Sequence, residues 1–266
     1  MLKFLHLSDL HLVRPGTVLH GLDPAEQLSL CVTDVLRKHA DAAFCVVSGD
    51  LTHSGDAQAY EAARDHLSRM PMPVHLMMGN HDDRNVFQSV FPDAPRDGAG
   101  FVQHVIDVEI GRLVFMDTSE PGRAEGRLCR ERLDWLRQRI EEVRDAPIFL
   151  FLHHPPFCAG LSRMDQIRLQ DAGRLLDVLH PDLPRIRHLF VGHLHRAIAG
   201  SWHGVPFSGV RGTSHQIALD FTTQDVASVS FETPGYGVVM TSSDSVVVHF
   251  EEVERPWTEQ AIRCPS

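Results

Sequence analysis

The residues of this chain best suited to chemistry come in short runs of acids, amides and imidazoles. The first is Asp9-x-His11, at the exit of the apolar stretch FLHLSDLHL, residues 4–12. In an extended chain residues i and i+2 face the same side, so these two side chains are expected to aim at one point. Taken alone, the pair is equally an ordinary acid and histidine at a strand exit. Four further runs follow, each behind an apolar stretch: Gly49-Asp50, Gly79-Asn80-His81-Asp82, His153-His154 and Gly192-His193-x-His195. Carboxylate, amide and imidazole donors without a thiolate form a mixed oxygen and nitrogen set. Such a set suits Fe, Mn, Co or Zn better than Mg or Ca, and the lack of thiolates argues against a structural zinc knuckle. Two cations held close together need a shared anion to offset their repulsion, and Asp50, alone at its strand end, is the natural bridge. The glycines at 49, 79 and 192 are expected to let the backbone turn sharply, so that the next side chain reaches inward.

The elements that must position these groups alternate along the chain. Strands are expected at 3–8, 43–48, 74–78, 113–116, 148–152 and 188–191, and helices at 24–39, 57–70, 83–91, 130–144 and 166–179. Asp23-Pro24 supplies N-cap and first-turn chemistry for the first helix. Residues 101–109, then Gly111 and a new strand, read as a hairpin. The pattern is α/β, a sheet covered by helices, and every polar run falls at a strand's carboxyl end, where ligands collect in such folds. After His195 the helical patterns give way to GVPFSGV, TSHQIALDF, GYGVVMTSS and SVVVHFEEV, which read as short antiparallel strands. Two regions are therefore expected: residues 1–195 carrying the main fold, and 196–266 as a β-rich segment that completes it and caps the site.

With 266 residues, 43% hydrophobic and 23% charged, the composition is that of an ordinary soluble globular protein with a sizeable core. A formal net charge of -10 argues against binding a nucleic-acid polymer, which needs a basic face. No apolar run has the length of a bilayer span, and the N-terminal stretch is broken by His6, Asp9 and His11, so no membrane association and a cytoplasmic location are expected. Five scattered cysteines without a C-x-x-C pair fit a reducing compartment.

The ordered series D-x-H, G-D, G-N-H-D, H-H-P-P and G-H-x-H resembles the signature of the calcineurin-like metallophosphoesterases, over residues 9–195. The resemblance implies a four-layer α/β/β/α sandwich with a C-terminal β-rich cap, and hydrolysis at two divalent or mixed-valence transition-metal ions. SGDLTHSG with its A-Y-E-A-A-R helix, GNHDD, HHPP and GTSHQ are most similar to bacterial glycerophosphodiesterases and class III cyclic-nucleotide phosphodiesterases. Carried over residue by residue, the pattern gives one metal Asp9, His11, Asp50 and His195, and the other Asp50, Asn80, His153 and His193. Either His153 or His154 can point at the metals, and the H-H-P-P form favours His153.

The neighbouring residues have plainer alternatives. His81 can simply orient its turn, yet an imidazole beside the metals would stabilise charge on a transferring phosphoryl group and protonate the leaving alkoxide. Asp82 is expected to orient His81 or cap the next helix. His215 is either an ordinary loop histidine or, as the resemblance implies, part of the substrate pocket. His6 reads as a core histidine, and Cys158 is assigned no role. Arg84, Arg163 and Arg211 can each hold a phosphate substituent, with solvated surface charge as the default. Tyr236 and Trp202 are as easily core as substrate contacts. The expected reaction is attack by a water made acidic by the metals on a small phosphodiester. The rival readings are a nuclease or phosphomonoesterase of the same superfamily and a non-catalytic scaffold. Antiparallel edge strands in the cap make a homo-oligomer the expected assembly.

Overall fold

The computed structural model describes residues 1–253, which leaves Cys264 outside the described residues. In chain order the elements are β1 (Leu2–Leu7), α1 (Pro24–Lys38), β2 (Cys45–Val47), α2 (Ala57–Leu67), β3 (Val74–Leu76), α3 (Arg84–Val90), β4 (His104–Val108), β5 (Gly111–Met116), α4 (Arg130–Glu141), β6 (Ile148–Leu152), α5 (Ser162–Gln166), α6 (Ala172–Leu179), a 3-10 turn (His180–Arg185), β7 (Ile186–Val191), β8 (Ile198–Trp202), β9 (Val205–Gly209), β10 (Gln216–Ile217), β11 (Val229–Ser230), β12 (Gly235–Thr241) and β13 (Val246–Glu252). They build two sheets, ordered β13-β12-β1-β2-β3 and β4-β5-β6-β7-β9-β8, with β10 and β11 as a separate pair.

Within each sheet the strands that lead into the polar runs are parallel: β1, β2 and β3 in one, β6 and β7 in the other, with β5 parallel to β6. All their carboxyl ends therefore open on one side. Strand β6, IFLFL, shows how the layers arise. It is buried throughout, as a parallel strand covered on both faces must be. Ile148, Leu150 and Leu152 join the core under α4 and α6, while Phe149 and Phe151 face the opposite way. There they meet Phe4, Val46, Met77, Phe115 and Phe190 in a seam between the two sheets. Phe115, Phe151 and Phe190 stack in succession, with centroids 4.8 and 4.6 Å apart. A third core lies between the first sheet and α1, α2 and α3. Three cores separate four layers, the α/β/β/α sandwich.

The C-terminal strands take part in both sheets. β12 pairs antiparallel with β1, and β13 lies outside it. β9 departs from the expected antiparallel pattern: it runs parallel to β7, because β8, which has no clear alternation in sequence, first turns the chain back. The helix expected over residues 166–179 is broken. Leu169 is fully buried and bridges Gly126, and the amides of Leu169 and Gln170 donate to the carbonyls of Pro155 and Gly126, both at 3.0 Å. Backbone groups committed to neighbouring loops cannot complete helical turns, so α5 stops at Gln166 and α6 starts at Ala172. Tyr236 and Trp202 belong to the packing. The Tyr236 hydroxyl donates to Asp34 at 2.7 Å, and Trp202 packs on the core under the second sheet. Among the described residues no helix is long and apolar enough to cross a membrane.

Candidate metal centre

The polar runs begin where the strands stop. Past β1 and β2 the two loops continue the parallel pairing: Asp9 N–H donates to Gly49 O at 3.1 Å, His11 N–H to Asp50 O at 2.8 Å, Leu12 N–H to Leu51 O at 3.1 Å and His53 N–H to Leu12 O at 2.9 Å. The side chains do not converge by extended-chain alternation, as the sequence suggested for Asp9 and His11. β1 ends at Leu7, and Asp9, His11, Asp50, His193 and His195 all have left-handed backbones, with φ of 55°, 45°, 51°, 66° and 50°. Asp and His are among the residues that tolerate this region, at some cost in strain, and strain of this kind collects at functional sites. The glycines also act differently from expectation. Gly49 supplies a positive φ of 105°. Gly79 and Gly192 have no such need, but a Cβ on Gly79 would overlap Asp50 and one on Gly192 would overlap Ser8. They allow close approach rather than a sharp turn.

All the sequence-predicted ligands meet in one cluster, buried apart from the half-buried Asn80. Donor atoms of Asp9, His11, Asp50 and His195 lie within 4.8 Å of one another. His11 Nε2 is 3.0 Å from His195 Nε2 and 3.3 Å from Asp50 Oδ2. The same Asp50 oxygen is 3.4 Å from His153 Nε2, which is itself 3.2 Å from Asn80 Oδ1. The His193 ring centroid is 5.2 Å from that of His153.

The cluster fits a bound cation. Asp9 Oδ2 and His193 Nε2 are buried with no hydrogen-bond partner among the described residues, which is costly for polar atoms unless something else satisfies them. Hydrogen bonds on the outer nitrogens also point ring lone pairs inward. His153 Nδ1–H donates to Ser48 O at 2.7 Å and His195 Nδ1–H to His215 O at 2.8 Å, so both Nε2 atoms keep a lone pair for the centre. His154 is arranged otherwise: Nδ1 meets the Thr118 hydroxyl at 2.8 Å, and Nε2 lies 3.2 Å from Ala124 O. Burial drives the His154 and His193 imidazoles well below their usual range, and takes His11 down to about 3 despite Asp50. For His153 burial also acts downward, but without a metal Asp50 and Asp9 outweigh it and the group rises to about 9, so a cation would have to displace the Nε2 proton to take up that lone pair.

Around the cluster stand more imidazoles. The ring centroid of His11 lies 4.7 Å from that of His81 and 5.0 Å from that of His215. His53, which the sequence reading did not single out, stacks on His81 at 4.9 Å and approaches His20 at 6.2 Å. Asp82 neither orients His81 nor caps a helix. It accepts the amides of Leu51 and Thr52 at 3.1 Å, of Gly79 at 2.9 Å and the Tyr60 hydroxyl at 2.9 Å, locking the Asp50 loop to the Asn80 loop. Asp83 caps α3 instead. Arg84 is not a solvated charge: it forks onto the fully buried Asp117 at 2.6 and 2.9 Å. Arg211 pairs with Glu232 and Glu252, Arg163 bonds the Gln166 side chain, and Cys158 is exposed. His6 lies in the core as expected, its Nε2 at 2.8 Å from Ser48 Oγ. A cavity of about 260 Å³ opens beside Asn80, lined by Asp83, Arg84, Asn85, Ser119 and Glu120. A larger groove of about 560 Å³, between Arg96, Trp135 and Arg139, includes none of the candidate ligands.

Residues 2–197 match the family described as calcineurin-like phosphoesterase. A protein of Rhodopseudomonas palustris described as a probable cyclic nucleotide phosphodiesterase is 42% identical over 255 residues, covering 93% of this chain and 91% of its own. A glycerophosphodiester phosphodiesterase of Enterobacter lignolyticus is 31% identical, covering 80% and 77%. Among solved structures, a dimetal phosphatase of Danio rerio superposes with a TM-score of 0.70 at 13% identity, covering 95% and 96%, a likeness of fold.

Proposed function

This chain belongs to the calcineurin-like phosphoesterase family, and on that premise we propose that it is a metal-dependent phosphodiesterase acting on small soluble diesters, glycerophosphodiesters or cyclic nucleotides. Two transition-metal ions would be held by Asp9, His11, Asp50 and His195 and by Asp50, Asn80, His153 and His193. The observation that carries the reading is the position of Asp50 Oδ2, 3.3 Å from His11 Nε2 and 3.4 Å from His153 Nε2, a single carboxylate oxygen between two donor groups. His153 is favoured over His154 because both nitrogens of His154 already face Thr118 and Ala124.

When bound, such a metal pair acidifies water to a nucleophile and clamps phosphoryl oxygens. The chain's own residues supply the rest. His81 Nδ1–H donates to His53 O at 2.7 Å, which turns Nε2 toward the site; as an imidazolium the ring would carry a second proton on Nε2 and give it to the departing alkoxide. The Asp50 carboxylate is itself fixed, its Oδ1 accepting the His81 amide at 2.9 Å. His215 lies across the cluster from His81 and borders the substrate. Of the expected segment 196–266, residues 254–266 lie outside the described residues; the rest is read as completing the core, β12 and β13 in one sheet and β8 and β9 in the other, while the loop bearing His215 closes over the site. The cavity beside Asn80 is polar and small, which favours a compact alcohol substituent over a duplex, as does the net charge of -10.

The test is a hydrolysis panel on the protein loaded with Mn, with and without chelator, comparing cyclic AMP, glycerophosphocholine, a chromogenic diester, a chromogenic monoester and plasmid DNA. Diester cleavage abolished by chelator, with two equivalents of metal per chain, is expected. Full activity with one equivalent or fewer would overturn the binuclear reading, and preferred cleavage of the plasmid or the monoester would overturn the substrate class.

A further inference from the structure

We propose that His53 is a positioning residue that fixes the proton placement of two site histidines at once: His11 through its own Nδ1, and His81 through its backbone carbonyl. The inference rests on the reading that His11 binds a metal through Nε2. That nitrogen faces Asp50 and His195, so a ligating His11 carries its proton on Nδ1, and a ligand imidazole normally gives that proton to a defined acceptor. The group at His11 Nδ1 is neither a carboxylate nor a carbonyl. It is Nδ1 of His53, at 3.4 Å, a long contact for a hydrogen bond. One proton arrangement then satisfies both rings: His11 donates from Nδ1, His53 accepts at Nδ1, and His53 keeps its own proton on Nε2.

The second link is covalently tied to the first. The His53 carbonyl accepts His81 Nδ1–H at 2.7 Å, and the two rings stack at 4.9 Å and 25°. His53 can hold both neighbours because it is held in turn. Its amide donates to Leu12 O at 2.9 Å, and the amide of the preceding Thr52 donates to Asp82. A shift of this one residue would move a metal ligand and the proton donor together.

The experiment uses the full chain loaded with Zn, as wild type, His53→Phe and His53→Asn. Phe keeps the stack and the carbonyl but removes the acceptor; Asn places its side-chain oxygen near the lost Nδ1. His53→Phe is expected to lose about 10–100-fold in Zn affinity, the usual cost of removing a ligand's supporting partner, and His53→Asn to regain most of it. At saturating Zn, kcat should fall in His53→Phe with KM unchanged. Long-range proton–nitrogen NMR should find His81 protonated on Nδ1 in all three proteins, since the carbonyl remains. Equal Zn affinity in wild type and His53→Phe would overturn the proposal. So would a wild-type spectrum in which His53 carries its proton on Nδ1, a result independent of whether any variant folds. A wild type that takes up no Zn would instead refute the metal reading beneath it, and this proposal with it.

Discussion

Replacing Asp82 by Asn should show that the centre depends on a residue that does not face it. Desolvation and the nearby Asp50 push the Asp82 carboxyl up to about 6, so at neutral pH it is still an acceptor-only carboxylate. Its Oδ2 takes the amides of Leu51 and Gly79; its Oδ1 takes the Thr52 amide and the Tyr60 hydroxyl. Asparagine must turn an NH₂ toward one of these pairs. Facing Leu51 and Gly79 would oppose two backbone donors that cannot rotate, so the NH₂ will face Thr52 and Tyr60, where the hydroxyl can swing its proton away. The variant then loses the Thr52 bond to a charged acceptor, worth about 1.5–3 kcal/mol, and leaves that donor against another. A net loss of about 3 kcal/mol follows, which for a chain of this length lowers Tm by about 5 °C. The measurement is thermal unfolding of chelator-treated protein, so that metal binding does not enter the comparison, followed by Zn affinity. A melting temperature within about 1 °C of wild type, with Zn affinity unchanged, would refute the reasoning.

Other expectations concern the bridge and the core. Asp50→Ala should cut diester hydrolysis by on the order of 1000-fold at saturating Mn, while Asn80→Ala should cost about 10–100-fold and be largely recovered by excess metal; equal activities would show that Asp50 is not the shared ligand. Acid should destabilise the fold between pH about 6.5 and about 4. Burial lowers His104 and His188 to about 4, so in that window the unfolded chain binds more protons, and stability falls as pH drops, by at most about 3 kcal/mol for each. His104 stacks on Phe115 at 4.5 Å, with both ring nitrogens buried and without a hydrogen-bond partner among the described residues. His104→Phe should therefore raise stability more at pH 5 than at pH 7.5 in urea titrations, and an unchanged pH slope would count against this account.

The strand ends and their donors were legible because they depend on local facts: an apolar run marks a strand, and polar side chains behind it mark its exit. Asp9, Asp50, Asn80, His153 and His193 could be placed on that basis. Backbone handedness could not. Nothing in D-x-H distinguishes an extended exit from the left-handed one adopted at φ 55° and 45°, because the difference arises from pairing with the Gly49–Leu51 loop. The break between α5 and α6 was hidden for a similar reason, since its cause lies at Gly126 and Pro155, far away in sequence. Sequence alone makes Asp82 an orienter of His81 or a helix cap and Arg84 a solvated charge, because their partners, Tyr60 and Asp117, come from other elements. His53 gave no signal at all, one histidine in a turn, and only the geometry sets its ring beside His11 and its carbonyl under His81.

The candidate ligands are divided between the layers: Asp9, His11, Asp50 and Asn80 follow strands of one sheet, and His153, His193 and His195 follow strands of the other. With the metals of the proposed reaction bound, each set of coordination bonds would cross the seam, so the ions would act as rivets at one end of a joint otherwise held by stacked phenylalanines. A ligand that binds the folded chain and not the unfolded one adds stability that grows with its free concentration. The lifetime of this protein would then follow the metal supply of its surroundings: starved of metal, the same chain would lose its activity and also open more readily at the riveted end, where proteases could reach it.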